Sequence, residues 1–320
     1  MVTITDILAA RQRIRGLVDP TPLEYSRPLS ELTGVHVYLK LEMMRETRAF
    51  KVRGAVNFLE ALPAAERSRG VVAASGGSHA QGVAYAAGRL GVPATIVMTE
   101  RSPVNLRAIC RSYGAEVIVR GQVYDDAALV AADISRETGR RLIHSYDDPY
   151  IIAGQGTVGL EIAEALPDLD AAIVPVGGGG LLGGVGCALH ALCPTAKVIG
   201  VEPEQAAAMA ASLKAGSLVH LADPRSLADK LVVKSVGLLN LQMAQLYVDR
   251  VVTVSEAAIG EAIYTFLNQV NLLVEGAGAS ALAALSNLAA EWQGRKVALV
   301  LTGGNIEAQV LARVIEQYRK

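Results

Sequence analysis

Lys51 lies in the stretch AFKVRGA, with Phe50 and Val52 on either side and Arg53 and Gly54 following. A lysine so placed has two readings. It can be a surface residue at a helix start whose stem covers apolar neighbours while its ammonium stays in water. Alternatively it is held in a cleft, where a desolvated amine becomes a nucleophile or a base. A second stretch, VPVGGGGLLGG, runs from an apolar segment into four consecutive glycines, Gly177, Gly178, Gly179 and Gly180, and then into a helical pattern beginning near Leu181. Glycines at a strand end let backbone N–H groups turn inward, and the helix N-terminus behind them adds partial positive charge. That arrangement cradles a phosphate without a basic side chain, although close helix–sheet packing also uses glycine. Two further loops have the same character: SGGSH, with Ser75, Gly76, Gly77, Ser78 and His79, and TGGN, which begins at Thr302.

The elements that must position these loops follow a simple alternation. Short β-branched runs, VHVYLKLE, GVVAAS, ATIVMT, AEVIVRG, AAIVPV, KVIGVE, RVVTVS and KVALVLTG, alternate with longer Ala/Leu-rich segments such as HAQGVAYAAGRL, SPVNLRAICRSYG, DDAALVAADISRETG and EAAIGEAIYTFLNQ. Several of the runs are apolar on both faces, as in a parallel sheet covered by helices. The expected class is α/β, and in open α/β sheets ligand loops follow the carboxyl ends of strands. SGGSH, GGGGLLGG and TGGN each do so.

Composition removes several classes of function. Of 320 residues, 51% are hydrophobic and 19% charged, so a large core is expected. Thirty basic and 31 acidic residues give a net charge of −1, which leaves no electrostatic footprint for nucleic acid or an anionic membrane. Three Phe and one Trp offer little for base stacking. Cys110, Cys187 and Cys193 show neither CxxC spacing nor a zinc pattern and read as reduced thiols, consistent with a cytoplasmic protein. The N-terminus MVTITDILAARQRIRG reads as an amphipathic helix capped by Thr3 and Asp6 rather than a signal peptide. Residues 171–193 carry no Asp, Glu, Lys or Arg, yet seven glycines and Pro175 suit strand, loop and helix better than a membrane span.

Two cofactor chemistries compete for the glycine loop. Gly178, Gly180 and Gly183 form a literal GxGxxG, and Glu202 closes the next strand candidate at about the spacing of a ribose-binding acid, as in an NAD-dependent oxidoreductase. That reading leaves Lys51, SGGSH and TGGN without a task. A pyridoxal phosphate enzyme uses all of them, because the aldehyde needs an amine, the phosphate an anion nest and the ring nitrogen a partner.

At this point a family resemblance becomes specific. TPLEYSRPLSELTGVHVYLKLE, FKVRGA, SGGSHAQGVAYAA, YGAEVIVRG, IAGQGT, PVGGGGLL and TGGN occur in the order seen in serine/threonine dehydratases of the fold-type II pyridoxal phosphate enzymes, from about Pro20 to Asn305. The resemblance implies two open, twisted, mostly parallel sheets flanked by helices, with a large cofactor-binding domain of residues 1–50 and 154–320 and a small mobile domain of residues 51–153. It makes Lys51 the Schiff-base lysine and the base for the Cα proton. Gly177, Gly178, Gly179, Gly180 and Leu181 would hold the phosphate, Phe50 would pack near the cofactor ring, and Glu275 would lie at the ring edge. Thr302 would face the pyridine nitrogen, and a neutral hydroxyl cannot keep that nitrogen protonated as a carboxylate would. Ser75, Gly76, Gly77, Ser78 and His79 would receive the substrate carboxylate, with Ser78 also near the cofactor. The other histidines, His36, His144, His190 and His220, are expected to be structural or exposed.

The implied reaction is β-elimination from a β-hydroxy amino acid, by default L-threonine or L-serine, giving a 2-oxo acid and ammonia in a cytoplasmic homodimer. Departures from the family pattern bear on the substrate. Arg48 and Ala49 replace glycine and serine, Ser78 replaces asparagine, and Lys230 stands where glycine is usual. 3-Hydroxyaspartate, phenylserine or a hydroxyectoine-breakdown intermediate are the alternatives. The divalent-cation site of the racemase branch looks incomplete, since Glu202 matches but Ala208 stands where an acid is expected. Gly76 replaces the serine that racemases use as a second acid/base, so elimination is expected to dominate.

Overall fold

Among residues 1–319, which the computed structural model describes, ten strands form two sheets. The strands are β1 (Leu23–Tyr25), β2 (His36–Leu41), β3 (Val71–Ala74), β4 (Ala94–Met98), β5 (Glu116–Val119), β6 (Arg141–Leu142), β7 (Ala171–Pro175), β8 (Lys197–Pro203), β9 (Arg250–Val254) and β10 (Lys296–Leu301). The larger sheet has the order β1-β2-β10-β7-β8-β9 and is parallel except for β1, while the smaller, β5-β4-β3-β6, is wholly parallel. The α/β class with two mostly parallel sheets is therefore the observed one. All eight strand-like runs form strands. The two that escaped the pattern, β1 and β6, are a three-residue edge strand and a two-residue edge strand, both largely exposed.

Strand periodicity divides the core of the larger sheet in two. Val297, Leu299 and Leu301 of β10 face one layer with Ala171 and Ile173 of β7, against the helices Glu256–Thr265 and Gly276–Leu288. Ala298 and Val300 face the other with Ala172 and Val174, against the helices Pro149–Ala165 and Gly180–Leu192. This is the period of two that puts successive side chains on opposite faces, and burial on both faces explains why these strands read as unbroken apolar runs. The smaller sheet repeats the arrangement, with Val71 and Ala73 packed toward the helices Val52–Ala61 and Ser78–Leu90, and Val72 and Ala74 toward the helix Tyr124–Thr138. At the N-terminus, Thr3 and Asp6 form the expected capping box.

A buried charge cluster joins these parts. Arg53, fully buried on the helix Val52–Ala61, donates to both oxygens of Glu42 at 2.8 Å, to both oxygens of Glu161 and to Thr157 at 2.9 Å. Lys40 of β2 donates to Glu161 and to the carbonyl of Thr21, and Arg45 lies 3.2 Å from Glu42. Burial opposes the guanidinium charge of Arg53, but the two carboxylates outweigh it and raise its pKa. Burial likewise opposes the charge of Glu42, and Arg53 and Arg45 reverse the balance, so its pKa falls below the usual carboxylate range. A carboxyl depressed in the folded state stabilises at pH values above its unfolded pKa, and that stability is lost as pH falls.

Arg53→Met is expected to cost about 3–5 kcal/mol in denaturant unfolding, because it leaves two buried carboxylates without their main partner. Adding Glu42→Gln is expected to recover part of the loss. A loss below about 1 kcal/mol would show that the cluster is not integral to the fold.

Candidate active site

The carboxyl ends of strands from both sheets converge on one cavity of about 860 Å³. β3 delivers the loop 75–79, β7 delivers the loop 177–180, and β10 delivers Thr302. An antiparallel bridge between Ala49 and Gly303, with Phe50 N–H donating to the Thr302 carbonyl at 3.2 Å, sets Lys51 beside Thr302. The cavity is lined by Phe50, Lys51, all of loop 75–79, loop 177–180 with Leu181, Glu275 and Thr302. The structure thus brings together the residues singled out for cofactor and substrate. Glu202 lies elsewhere.

Local chemistry differs from residue to residue. The Lys51 amine donates to the Ser145 carbonyl at 2.8 Å and lies 5.2 Å from the centre of the Phe50 ring. Burial pushes its pKa down to about 8, so near neutral pH it is far closer to the reactive free amine than an exposed lysine. His79 is buried with Nε2 3.4 Å from the Ile143 carbonyl, and burial followed by the Lys51 charge pushes its pKa down to about 3, which keeps it neutral. Burial raises Glu275 to about 7, against the nearby Lys230 ammonium and the Asn305 N–H that it accepts at 3.0 Å.

The glycine loop is shaped by close approach. Gly179 has φ of +97° and caps the helix Gly180–Leu192, a backbone conformation that strains other residues. A side chain at Gly178 would collide with the ring of Tyr146. Tyr146 belongs to a segment that carries none of these motifs. Asn240 donates to the carbonyls of Tyr146 at 3.0 Å and Gly178 at 2.8 Å, while Asp147 accepts from the amides of Leu238 and Leu239 at 3.1 Å. His144 Nδ1 accepts from the amides of Tyr146 and Asp147, a structural task as expected, although the ring also lines the cavity. The signal was the turn-forming HSYDDP ahead of IAGQGT, whose Asp148 caps the helix beginning at Pro149.

Three buried polar atoms here have no partner among the described residues: Ser78 Oγ, His79 Nδ1 and Thr302 Oγ1. Leaving such an atom unpaired costs about 1–3 kcal/mol, so a cavity that gathers several is built for a polar occupant. A phosphate at the glycine loop, a ring nitrogen at Thr302 and an aldehyde carbon at Lys51 fit pyridoxal phosphate. Glu202, by contrast, spends both carboxylate oxygens on the amides of Met209 and Ala210 at 2.8 and 2.9 Å, at the start of the helix Ala208–Ala215. Burial raises its pKa to about 7. Among the described residues, no group of three or more His, Cys, Asp and Glu is gathered as a metal ion requires.

The model of the family described as "Pyridoxal-phosphate dependent enzyme" matches residues 14–303. The chain belongs to that family. It is 45% identical over 317 residues to an L-threonine ammonia-lyase of Thermotoga maritima, covering 99% of this chain and 79% of the relative. It is 38% identical over 311 residues to an L-threo-3-hydroxyaspartate ammonia-lyase of Pseudomonas sp, covering 97% and 98%. The processed form of threonine deaminase isoform 2 from Solanum lycopersicum superposes with a TM-score of 0.94 at 34% identity, covering 99% of this chain and 92% of that one. Pyridoxal phosphate is accordingly the cofactor of this family member, and the dinucleotide reading of Gly178, Gly180 and Gly183 is set aside. The GxGxxG spacing arises here because β7, a glycine turn and a helix meet at the wall of the cavity.

Because Lys51 titrates near 8, the rate at which apoprotein takes up pyridoxal phosphate should rise with pH and level off above about 8, as followed by absorbance. A rate still climbing steeply through pH 10 would show an amine of ordinary basicity.

Proposed function

We propose that this chain is an ammonia-lyase that dehydrates a β-hydroxy amino acid, with L-threonine and L-serine as the default substrates, to a 2-oxo acid and ammonia. The observation that carries this reading is the meeting of the Lys51 amine, two glycine loops at helix N-termini and the unpartnered Thr302 hydroxyl in one cavity. When bound, pyridoxal phosphate supplies an aldehyde for the substrate's amino group and a conjugated ring that accepts electrons from Cα. The chain supplies the rest. Loop 177–180 and the N-terminus of the helix Gly180–Leu192 hold a phosphate by backbone amides. Loop 75–79, opening the helix Ser78–Leu90, receives the α-carboxylate by the same physics. Thr302 would offer the ring nitrogen a neutral hydroxyl, which cannot hold that nitrogen protonated as a carboxylate would.

Lys51 takes the Cα proton. The Cα–H pair forms the Cα=Cβ bond as the Cβ–O bond breaks, and the hydroxyl leaves as water with the proton that Lys51 took from Cα. The released enamine tautomerises to an imine, and water hydrolyses it to the 2-oxo acid and ammonia. Gly76 offers no hydroxyl to return a proton on the opposite face, and a side chain there would collide with Ser102 Oγ. We further propose that residues 51–153 move as a small domain over the site, because β3, β4, β5 and β6 all fall within them. A homodimer in the cytoplasm fits the family resemblance and the buried, unpaired Cys110, Cys187 and Cys193.

Holoenzyme supplied with L-threonine should release 2-oxobutanoate and ammonia in equal amounts, and Lys51→Ala should lower kcat by about a thousandfold or more. L-Serine should be deaminated without accumulation of D-serine. Turnover that survives Lys51→Ala, or L/D interconversion as fast as deamination, would overturn this assignment.

A further inference from the structure

Lys230 stands between the two glycine loops. Its carbonyl oxygen lies 3.2 Å from where a Cβ on Gly177 would stand, and its Cδ and Cε lie 3.5 and 3.8 Å from the corresponding position at Gly77. The backbone therefore abuts the phosphate loop while the stem crosses to the loop that receives the substrate carboxylate. The side chain lines the cavity and is 25% exposed. Its ammonium is paired with Asp229, whose side chain is 65% exposed, so the pair sits at the water's edge and exchanging its partner costs little.

Other cations nearby are committed elsewhere or point away. Lys51 rests on the Ser145 carbonyl, Lys234 pairs with Asp125 at 2.6 Å at the cavity mouth, and Arg48 is exposed outside the cavity lining. The backbone amides of the two glycine loops serve the phosphate and the α-carboxylate, and neither needs Lys230. A half-buried ammonium between those loops, held only by the exposed Asp229, is the one placed to exchange its partner for a third anionic group inside the cavity. Glu275 shares this wall, and burial holds its carboxyl near 7, which weakens its hold on the ammonium.

Resting on the lyase reading above, we propose that Lys230 is a specificity-determining residue that pairs with a second carboxylate on Cβ, so that the preferred substrate is a 2-amino-3-hydroxy dicarboxylic acid such as 3-hydroxyaspartate. Lys230 makes and breaks no covalent bond. The β-hydroxyl leaves as water, and the products are a 2-oxo dicarboxylate and ammonia. Because the pairing is the same before and during elimination, its loss should appear in KM rather than kcat.

The test compares L-threonine, L-serine and the threo and erythro isomers of 3-hydroxyaspartate with wild-type holoenzyme, Lys230→Met, Lys230→Arg and Arg48→Gly. For Lys230→Met, the ratio of kcat/KM for the better 3-hydroxyaspartate isomer to that for threonine should fall about ten- to a hundredfold, through KM. Lys230→Arg should retain most of the ratio, and Arg48→Gly should not change it. A ratio within about threefold of wild type in Lys230→Met overturns the proposal. Should Lys230→Met fail to fold, the wild type decides: about tenfold preference for 3-hydroxyaspartate over threonine supports the proposal, and equal or reversed preference overturns it. Wild type active on threonine and serine alone overturns only this inference, whereas inactivity on every hydroxy amino acid overturns the lyase reading and this inference with it.

Discussion

Arg53 is a full positive charge with no exposed surface, tolerable only because two carboxylates meet its planar fork on two sides. Those carboxylates come from different parts of the chain. Glu42 follows β2 of the larger sheet, and Glu161 lies on the helix that covers the opposite layer. The guanidinium therefore fixes the first turn of the helix Val52–Ala61 against both, and Lys51 sits at the cap of that turn. An amine that must reach a reacting carbon needs a rigid support of this kind, since small displacements from attack geometry cost rate steeply. The burial that weakens the Lys51 charge and the ionic cluster that anchors its backbone are two sides of one design. One lowers the amine's proton affinity, and the other keeps it in place.

In the proposed site, anion recognition would be delegated to the backbone. Glycine at 177–180 and at 76–77 lets amides approach a ligand, and the helices that begin at Gly180 and Ser78 add their dipoles. The collision that any side chain at Gly178 would meet with Tyr146 shows that the loop is also backed by the segment 144–147, which lines the same cavity. Asp147 and Asn240 hold that backing segment to the helix Leu238–Tyr247. With fixed dipoles in that proposed role, lysine side chains in the cavity would be released for other tasks, Lys51 for proton transfer and Lys230 for discrimination.

Much of this was legible in the sequence because it is local. Strands buried on both faces announce themselves as apolar runs, and glycine clusters at their carboxyl ends mark the site. β1 and β6 were not legible, since edge strands of three and two exposed residues carry no periodic signal. The backing role of residues 144–147 was hidden as well, because Asp147 and Tyr146 act on partners about 90 residues away. Arg48 and Lys230 show the same limit in another form. Both are cations at positions where the family pattern differs, yet Arg48 adopts φ of +54° and projects to solvent, whereas Lys230 lines the cavity. Only the fold separates them.

Lys51, among all the lysines of the chain, is proposed as the amine that engages the cofactor aldehyde. Borohydride reduction of the holoenzyme, followed by proteolysis and mass spectrometry, tests it directly. One pyridoxyl group per chain on the peptide containing AFKVRGA, at Lys51, is the predicted result. A label on Lys230 or Lys40, or no covalent label at all, would contradict the account.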